Sequence, residues 1–283
     1  MDNIVLEGGG VKGIAYAGVF SALSAHNKYD GISNVLGVSA GAIAAVFLAI
    51  GMTTQEVEQA LKAIEFEEFK DDSFGAVRDV YRFVSKYGKH RGDYFTHWLG
   101  DIVEAYTGSR DCTFKELAEV PKSKNLFVAA TCLDEGKQVV FSKDTHPSMS
   151  IVLAVRASMA IPFFFTPVDY GGSLYMDGGV LNNYPINFFD GKGGKTIGVR
   201  LDTTEEVQHT KRYKHDNVLM YATSTFQIIY DRLQTRHISK RDWANSIIVD
   251  CGNTSAMAFD IKEVEKERLI DSGWKAAMAF LGK

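Results

Sequence analysis

The segment over residues 33–47 constrains the fold more than any other part of this chain. It begins as a short apolar strand, turns at Ser39, and continues as a helix with hardly a polar residue. Gly37-Val38-Ser39-Ala40-Gly41 has the spacing G-x-S-x-G, in which two glycines let the chain cross closely beside a serine held in a strained backbone conformation. A strand that runs directly into a buried helix predicts one unit of a parallel α/β sheet.

A second unit of the same kind opens the chain. Residues 3–7 form an apolar strand, and Gly8-Gly9-Gly10-Val11-Lys12-Gly13 follows before a segment with helical periodicity. Two such units in succession predict right-handed crossovers in a parallel sheet. The main-chain amides of the glycine loop, together with Lys12 and a helix N-terminus, could hold a negative charge such as the oxyanion of acyl transfer.

The glycine loop also has a competing interpretation. Gly8-x-Gly10-x-x-Gly13 after a strand matches the dinucleotide fingerprint, so an NAD- or FAD-dependent enzyme is an alternative. That fingerprint requires a second strand that ends in an acidic residue about 20 residues further on. Here Asp30 precedes the second strand, so half of the dinucleotide pattern is missing. No Gly-Lys-Ser/Thr occurs at the spacing of a Walker loop, which excludes that phosphate site.

Composition narrows the function classes. With 283 residues and no linker or internal repeat, we expect a single domain over 1–283. The net charge of −4 gives no sign of a nucleic-acid partner, and three cysteines are too few for a disulfide framework or a zinc site. The N-terminus lacks a signal-peptide pattern, and the longest apolar run, 40–50, is too short to cross a bilayer. We expect a cytoplasmic protein with peripheral membrane contact at most.

Periodicity and turn signals predict the remaining elements. Helices are expected over 54–66, 74–87, 94–106, 149–160, 215–238 and 261–281. Strands are expected over 125–133, 138–142, 167–170, 173–176, 195–201 and 246–249, with two antiparallel pairs among them.

A nucleophilic serine needs a base. Asp177 ends a predicted strand, and Gly178 and Gly179 behind it would let its carboxylate approach another turn closely. The alternative for Asp177 is an ordinary Asx-turn. The histidines are each expected to be surface or helix residues, because none ends a strand in a glycine-flanked turn; they are His26, His90, His97, His146, His209, His215 and His237.

Taken in chain order, the glycine-rich loop, G-x-S-x-G and Asp-Gly-Gly resemble the patatin-like phospholipase family. Residues 156–167, Arg-Ala-Ser-Met-Ala-Ile-Pro-Phe-Phe-Phe-Thr-Pro, are similar to that family's block between serine and aspartate. So are residues 177–185, Asp-Gly-Gly-Val-Leu-Asn-Asn-Tyr-Pro. Through these motifs the resemblance extends over residues 3–201.

The resemblance implies a three-layer α/β/α fold with a mostly parallel central sheet. It also implies a dyad of Ser39 as nucleophile and Asp177 as base, with the Gly8–Gly13 loop, above all the amides of Gly9 and Gly10, as oxyanion hole and Lys12 at the family's basic position. Such enzymes hydrolyse acyl esters of phospholipids or lysophospholipids without metal or cofactor. A lipid-binding or scaffolding protein on the same fold is the alternative, and the sequence leaves the acyl position, head group, activator and oligomeric state open.

The dyad carries a physical requirement. An unperturbed aspartate, with a pKa of about 3.9, is a weak base near neutral pH. We therefore expect Asp177 to be at least partly desolvated, since burial disfavours the charged form and raises the pKa.

Overall fold

The computed structural model describes residues 1–70, 87–202, 221, 224–225, 228 and 240–282. The helix predicted over 74–87 lies outside the described residues except for residue 87. The helix predicted over 215–238 lies outside them except for residues 221, 224–225 and 228.

Ten strands are described, most of them within one or two residues of their predicted bounds. They are β1 (Asn3–Leu6), β2 (Asn34–Val38), β3 (Gly88–His90), β4 (Asn125–Cys132), β5 (Lys137–Phe141), β6 (Phe163–Phe165), β7 (Val168–Tyr170), β8 (Ser173–Asp177), β9 (Thr196–Asp202) and β10 (Ser246–Asp250). The short strands β3 and β6, which pair with each other in parallel, were not predicted.

The described helices are α1 (Tyr16–Ala25), α2 (Ala40–Ala49), α3 (Thr54–Lys62), α4 (Asp93–Thr107), α5 (Phe114–Leu117), α6 (Ile151–Ser158), α7 (Lys240–Ala244) and α8 (Glu263–Leu281). Short 3₁₀ turns cover Gly10–Ala15, Phe66–Phe69, Gly178–Val180 and Ile186–Phe189. The helix predicted after the glycine loop thus begins as a 3₁₀ turn and becomes α-helical at Tyr16. Helix α3 begins with a capping box, in which Thr53 and Glu56 satisfy each other's main-chain amides.

The main sheet has eight strands in the order β10-β9-β1-β2-β4-β8-β7, and β5 also pairs with β4. The five strands from β10 to β4 are parallel, whereas β5 and β8 run antiparallel to β4. The hairpin of β7 and β8 and the pair of β4 and β5 were both predicted from turn signals, and both are confirmed.

Alternate strand residues face two separate apolar cores. Ile4 and Leu6 belong to a large cluster with buried residues of α1, α2 and α8. Val5 and Leu36 point to the other face, into a smaller cluster that the 3₁₀ turn Ile186–Phe189 covers. Both sheet faces are therefore covered, as parallel strands require. The predicted layered α/β architecture with a mostly parallel sheet is confirmed.

Asparagines fix the register at the N-terminal ends of three neighbouring strands. Asn34 Nδ2 donates to Asn3 Oδ1 at 2.7 Å, and Asn125 Nδ2 donates to Asn34 Oδ1 at 2.9 Å. Asn3 in turn donates to Thr196 Oγ1 at 3.1 Å. This chain of side-chain hydrogen bonds therefore runs from β9 through β1 and β2 to β4. Because these strands are parallel and begin in register, their C-terminal ends and the loops that follow lie at the same end of the sheet. Ligands bind at this end in open α/β folds.

Among the described residues, every helix is too short or too polar to span a membrane.

Candidate active site

Ser39 occupies the turn between β2 and α2 in an unusual backbone conformation, with φ 52° and ψ −123°. A positive φ is costly for a residue with a side chain, by roughly 1–3 kcal/mol. The flanking glycines permit the turn: a Cβ on Gly37 would overlap Gly41 O, and a Cβ on Gly41 would overlap Leu6 O. Side chains at these two positions would therefore collide with the crossing chain, as the G-x-S-x-G spacing predicts.

Strand β4 brings the ends of β2 and β8 together. Residues 125–129 of β4 pair with β2, and residues 130–132 pair with β8. Strand β5 pairs with residues 128–132, which overlap both of these ranges. Strand β5 therefore lies along one edge of β4, and β2 and β8 both lie along the other. On that edge Val38 lies opposite Ala129, and Asp177 lies opposite Ala130. Because β2 is parallel to β4 and β8 is antiparallel to it, their C-terminal ends face each other. Ser39 and Asp177 therefore meet although they are 138 positions apart in the sequence.

The Asp177 side chain is fully buried. Its Oδ1 accepts a hydrogen bond from Gly179 N at 2.7 Å, so the Asx-type contact considered above is present. Burial raises the pKa of Asp177 to about 7, while the nearby Ser39 hydroxyl and the Gly179 amide act to lower it. Among the described residues, Asp177 Oδ2 has no hydrogen-bond partner. The expected desolvation of Asp177 is confirmed.

The glycine loop lies against the same turn. A Cβ on Gly8 would lie 3.0 Å from Ser39 Cβ. Asn183 Nδ2 donates to Gly8 O at 2.7 Å, and Gly8 N donates to Asn183 O at 3.3 Å. Asn183 thus joins the loop to the segment behind Asp177.

The amides of this loop divide into two groups. Val11 N donates to Ala256 O and Lys12 N to Gly9 O, so both are used within the protein. In the part of the chain that the structure describes, the amides of Gly9 and Gly10 donate no hydrogen bond. Gly9 and Gly10 are also the two donors that the resemblance implies. The ammonium of Lys12 donates to Leu201 O at 3.0 Å.

Ser158 is a site residue to which sequence reasoning gave no role, although it lies within the block over 156–167. It is fully buried; its Oγ donates to Ala129 O at 2.6 Å and accepts from Ser39 N at 2.8 Å. One hydroxyl thus joins the nucleophile turn to β4 beside Asp177. The partners lie 119 and 29 residues away, so no local pattern marks them.

The expectation for the histidines is wrong for His90. His90 is buried in β3, and its ring centroid lies 4.7 Å from that of Phe164 in an aromatic cluster. Arg156, also buried, donates to Arg91 O and Thr166 O and so joins the ends of β3 and β6. No described histidine hydrogen-bonds Ser39 or Asp177; His209, His215 and His237 lie outside the described residues. Among the described residues, the titratable group next to the Ser39 hydroxyl is the Asp177 carboxylate.

No group of three or more potential metal ligands occurs among the residues that the structure describes.

The sequence of this chain is similar to those of known proteins. The sequence model of the patatin-like phospholipase family matches residues 4–190. YqhO of Bacillus subtilis is 32% identical over 292 residues, covering 98% of this chain and 97% of YqhO. The "probable lipid hydrolase 463L" of invertebrate iridescent virus 6 is 31% identical over 190 residues, or 65% of this chain and 62% of that protein.

A solved structure extends the likeness to the fold. VipD from Legionella pneumophila aligns with 99% of this chain at a TM-score of 0.68 and 18% identity, and this chain spans 66% of it. At that identity the likeness concerns the fold alone. The family match covers the glycine loop, Ser39 and Asp177 together, and the chain therefore belongs to the patatin-like phospholipase family.

Proposed function

We propose that this protein is a lipid acyl hydrolase with Ser39 as nucleophile and Asp177 as general base. The observation that carries the proposal is the meeting of β2 and β8 on one edge of β4, which sets a buried carboxylate beside a serine in a strained turn. A carboxylate with a pKa of about 7 suits a general base near neutral pH.

The reaction would begin when Ser39 Oγ attacks the acyl carbonyl and its proton passes to Asp177. The negative charge that develops on the carbonyl oxygen would be stabilised by the amides of Gly9 and Gly10 and by the positive end of α2. Collapse of this intermediate would break the ester bond, and Asp177 would give its proton to the departing alcohol. A water molecule, deprotonated by Asp177, would then attack the acyl-enzyme, and Asp177 would return that proton to Ser39 Oγ as the fatty acid is released.

The proposed substrates are phospholipids or lysophospholipids. Membership of the patatin-like phospholipase family and the named activity of the viral relative support this class. Because such substrates reside in membranes or micelles, the protein would act as a single peripheral domain at a lipid surface. The cycle uses no metal or cofactor, since the serine, the carboxylate and the amides provide each step.

The pH dependence tests the base directly. With the pKa of Asp177 at about 7, kcat/KM for a p-nitrophenyl acyl ester should fall tenfold per pH unit below that value. The expected midpoint is well above the ordinary range of an aspartate, near 3.9. A rate that stays constant down to pH 5 would contradict a base whose pKa is raised to about 7.

Ser158→Ala should lower kcat while leaving the fold intact. The change removes the hydroxyl that holds Ser39 N and Ala129 O, so the nucleophile turn loses its connection to β4. We expect kcat to fall by about tenfold, the size of a single misplaced contact of 1–2 kcal/mol. Ser123→Ala is the matched control, because it also removes a hydroxyl that donates to a main-chain oxygen, Leu117 O, at the far end of β4. Equal kcat in wild type and Ser158→Ala would exclude this role.

A further inference from the structure

The glycine loop leaves the sheet where the neighbouring strand continues. Strand β1 ends at Leu6, whereas β9 runs on to Asp202. Glu7 N still donates to Val199 O at 3.1 Å, and the next rung of a parallel ladder would run from Leu201 N to the Glu7 carbonyl. That carbonyl accepts from Tyr16 Oη instead. The main chain of Leu201 therefore needs other partners on this edge.

Two side chains supply those partners. Glu7 Oε2 accepts from Leu201 N at 2.7 Å, and Lys12 Nζ donates to Leu201 O at 3.0 Å. Glu7 directly precedes Gly8-Gly9-Gly10, and Lys12 follows two positions after them. The Leu201 side chain lies under the same loop, since a Cβ on Gly9 would lie 2.6 Å from Leu201 Cδ1.

We infer that Glu7 and Lys12, here called the Leu201 clamp, are positioning residues that hold the amides of Gly9 and Gly10 toward Ser39. The inference rests on the proposed function, because it assigns those amides to the oxyanion. It gives Lys12 a role other than direct contact with the oxyanion: its ammonium binds a main-chain carbonyl of β9 and acts through the loop.

The charges around the clamp fit this role. Glu7 is 4% exposed, and Arg200 Nε lies 3.9 Å from its Oε1. Burial raises the pKa of Glu7 to about 7 against the opposing effects of Arg200, Lys12 and the Leu201 amide, while Asp202 raises it further. A buried carboxylate is costly unless it is paired and hydrogen-bonded. Here Glu7 and Lys12 both bond the main chain of Leu201, whose side chain lies under the loop.

Four variants and one control test the clamp. Lys12→Met and Glu7→Ala each remove one contact, and their combination removes both. Glu7→Gln keeps an oxygen that can accept from Leu201 N. Lys124→Met is the matched control, because Lys124 is likewise half-buried and its Nζ donates to a main-chain oxygen, Asp30 O, at 2.7 Å.

Three constants, kcat, KM and an inhibition constant, separate positioning from simple destabilisation. We expect Lys12→Met and Glu7→Ala to lower kcat by about 100-fold, the effect of losing one oxyanion donor. The inhibition constant of an alkyl trifluoromethyl ketone, which forms a tetrahedral oxyanion on the serine, should rise by the same factor while KM stays within about twofold. Glu7→Gln should recover most of the loss. The double variant should lose little more than the worse single variant, because both contacts act through Leu201.

Hydrogen exchange provides a readout that does not need activity. Peptides that cover residues 7–14 should exchange faster in Lys12→Met and Glu7→Ala than in wild type. In Lys124→Met the exchange rate of these peptides should equal that of wild type. Unchanged exchange of this loop, multiplicative losses in the double variant, or a raised KM at constant kcat would each overturn the clamp. A wild type that hydrolyses no ester would instead refute the proposed function, whatever the exchange shows.

Discussion

Asp177→Asn is expected to lower ester hydrolysis by roughly 10²–10⁴-fold, the range that a general base contributes. The substitution keeps the shape of the side chain, and an amide oxygen can still accept from Gly179 N. What it removes is the ability to take the Ser39 proton. Initial rates on a p-nitrophenyl acyl ester at pH 8, where the wild-type carboxylate is ionised, would measure the loss.

The same substitution should make the protein harder to unfold in alkaline solution. The pKa of Asp177 is raised in the folded state, so between its ordinary value and about 7 the folded protein holds a proton that the unfolded chain has lost. Stability from this group is present at acidic pH and is lost as the pH rises toward 7. Above that pH the ionised, buried carboxylate costs about 4 kcal/mol, which Asn does not incur.

Denaturant unfolding at pH 5 and pH 8.5 would check this result. Stability at pH 8.5 should be higher in Asp177→Asn than in wild type, and the difference should shrink at pH 5. Glu7 also has a raised pKa, but it is present in both proteins and cancels in the comparison. A difference that does not depend on pH would contradict a strongly desolvated Asp177.

Ser39→Ala and Ser39→Gly should both lose turnover to background, on the order of 10⁶-fold for a lost nucleophile. Their stabilities should differ. Ala retains the strained backbone at φ 52°, whereas Gly adopts positive φ without that cost. We expect Ser39→Gly to exceed Ser39→Ala in free energy of unfolding by about 1 kcal/mol.

Thermal and denaturant unfolding of the two variants would show the difference, and Gly51 offers a reference position. Gly51 also has a positive φ, of 85°, and lies away from the site with open space around it. Gly51→Ala should therefore destabilise by a similar amount. Equal stability of Ser39→Ala and Ser39→Gly would mean that the turn stores no strain.

Local sequence patterns predicted the elements of the site well. The alternation of apolar residues located the strands, and the glycines around Ser39 indicated a close crossing that the structure contains. Asp177 at a strand end before two glycines was also visible, since it depends only on neighbouring residues. Strand ends differed by one or two positions, because hydrogen bonding to other strands sets them.

The long-range contacts could not be predicted in this way. Nothing near Ser158 in the sequence indicates that its hydroxyl accepts a hydrogen bond from Ser39 N. In the sequence, Glu7 is an ordinary acidic residue before a glycine loop, and only the structure shows that it bonds Leu201 N. His90 was expected to be a surface or helix residue, because its neighbours showed no strand end in a glycine-flanked turn, yet it lies in β3 and is buried against Phe164 and Phe165. Each of these contacts joins segments that are far apart in the sequence and that strand pairing brings together, and one sequence does not determine that pairing.

The most direct test of the central claim is the site and pH dependence of covalent labelling by a fluorophosphonate. Peptide mass spectrometry should locate the phosphonyl adduct on Ser39, with a labelling rate that rises to a plateau with a midpoint near pH 7 and is nearly abolished in Asp177→Asn. An adduct on another residue, or labelling of Ser39 at the wild-type rate without the carboxylate, would contradict the account.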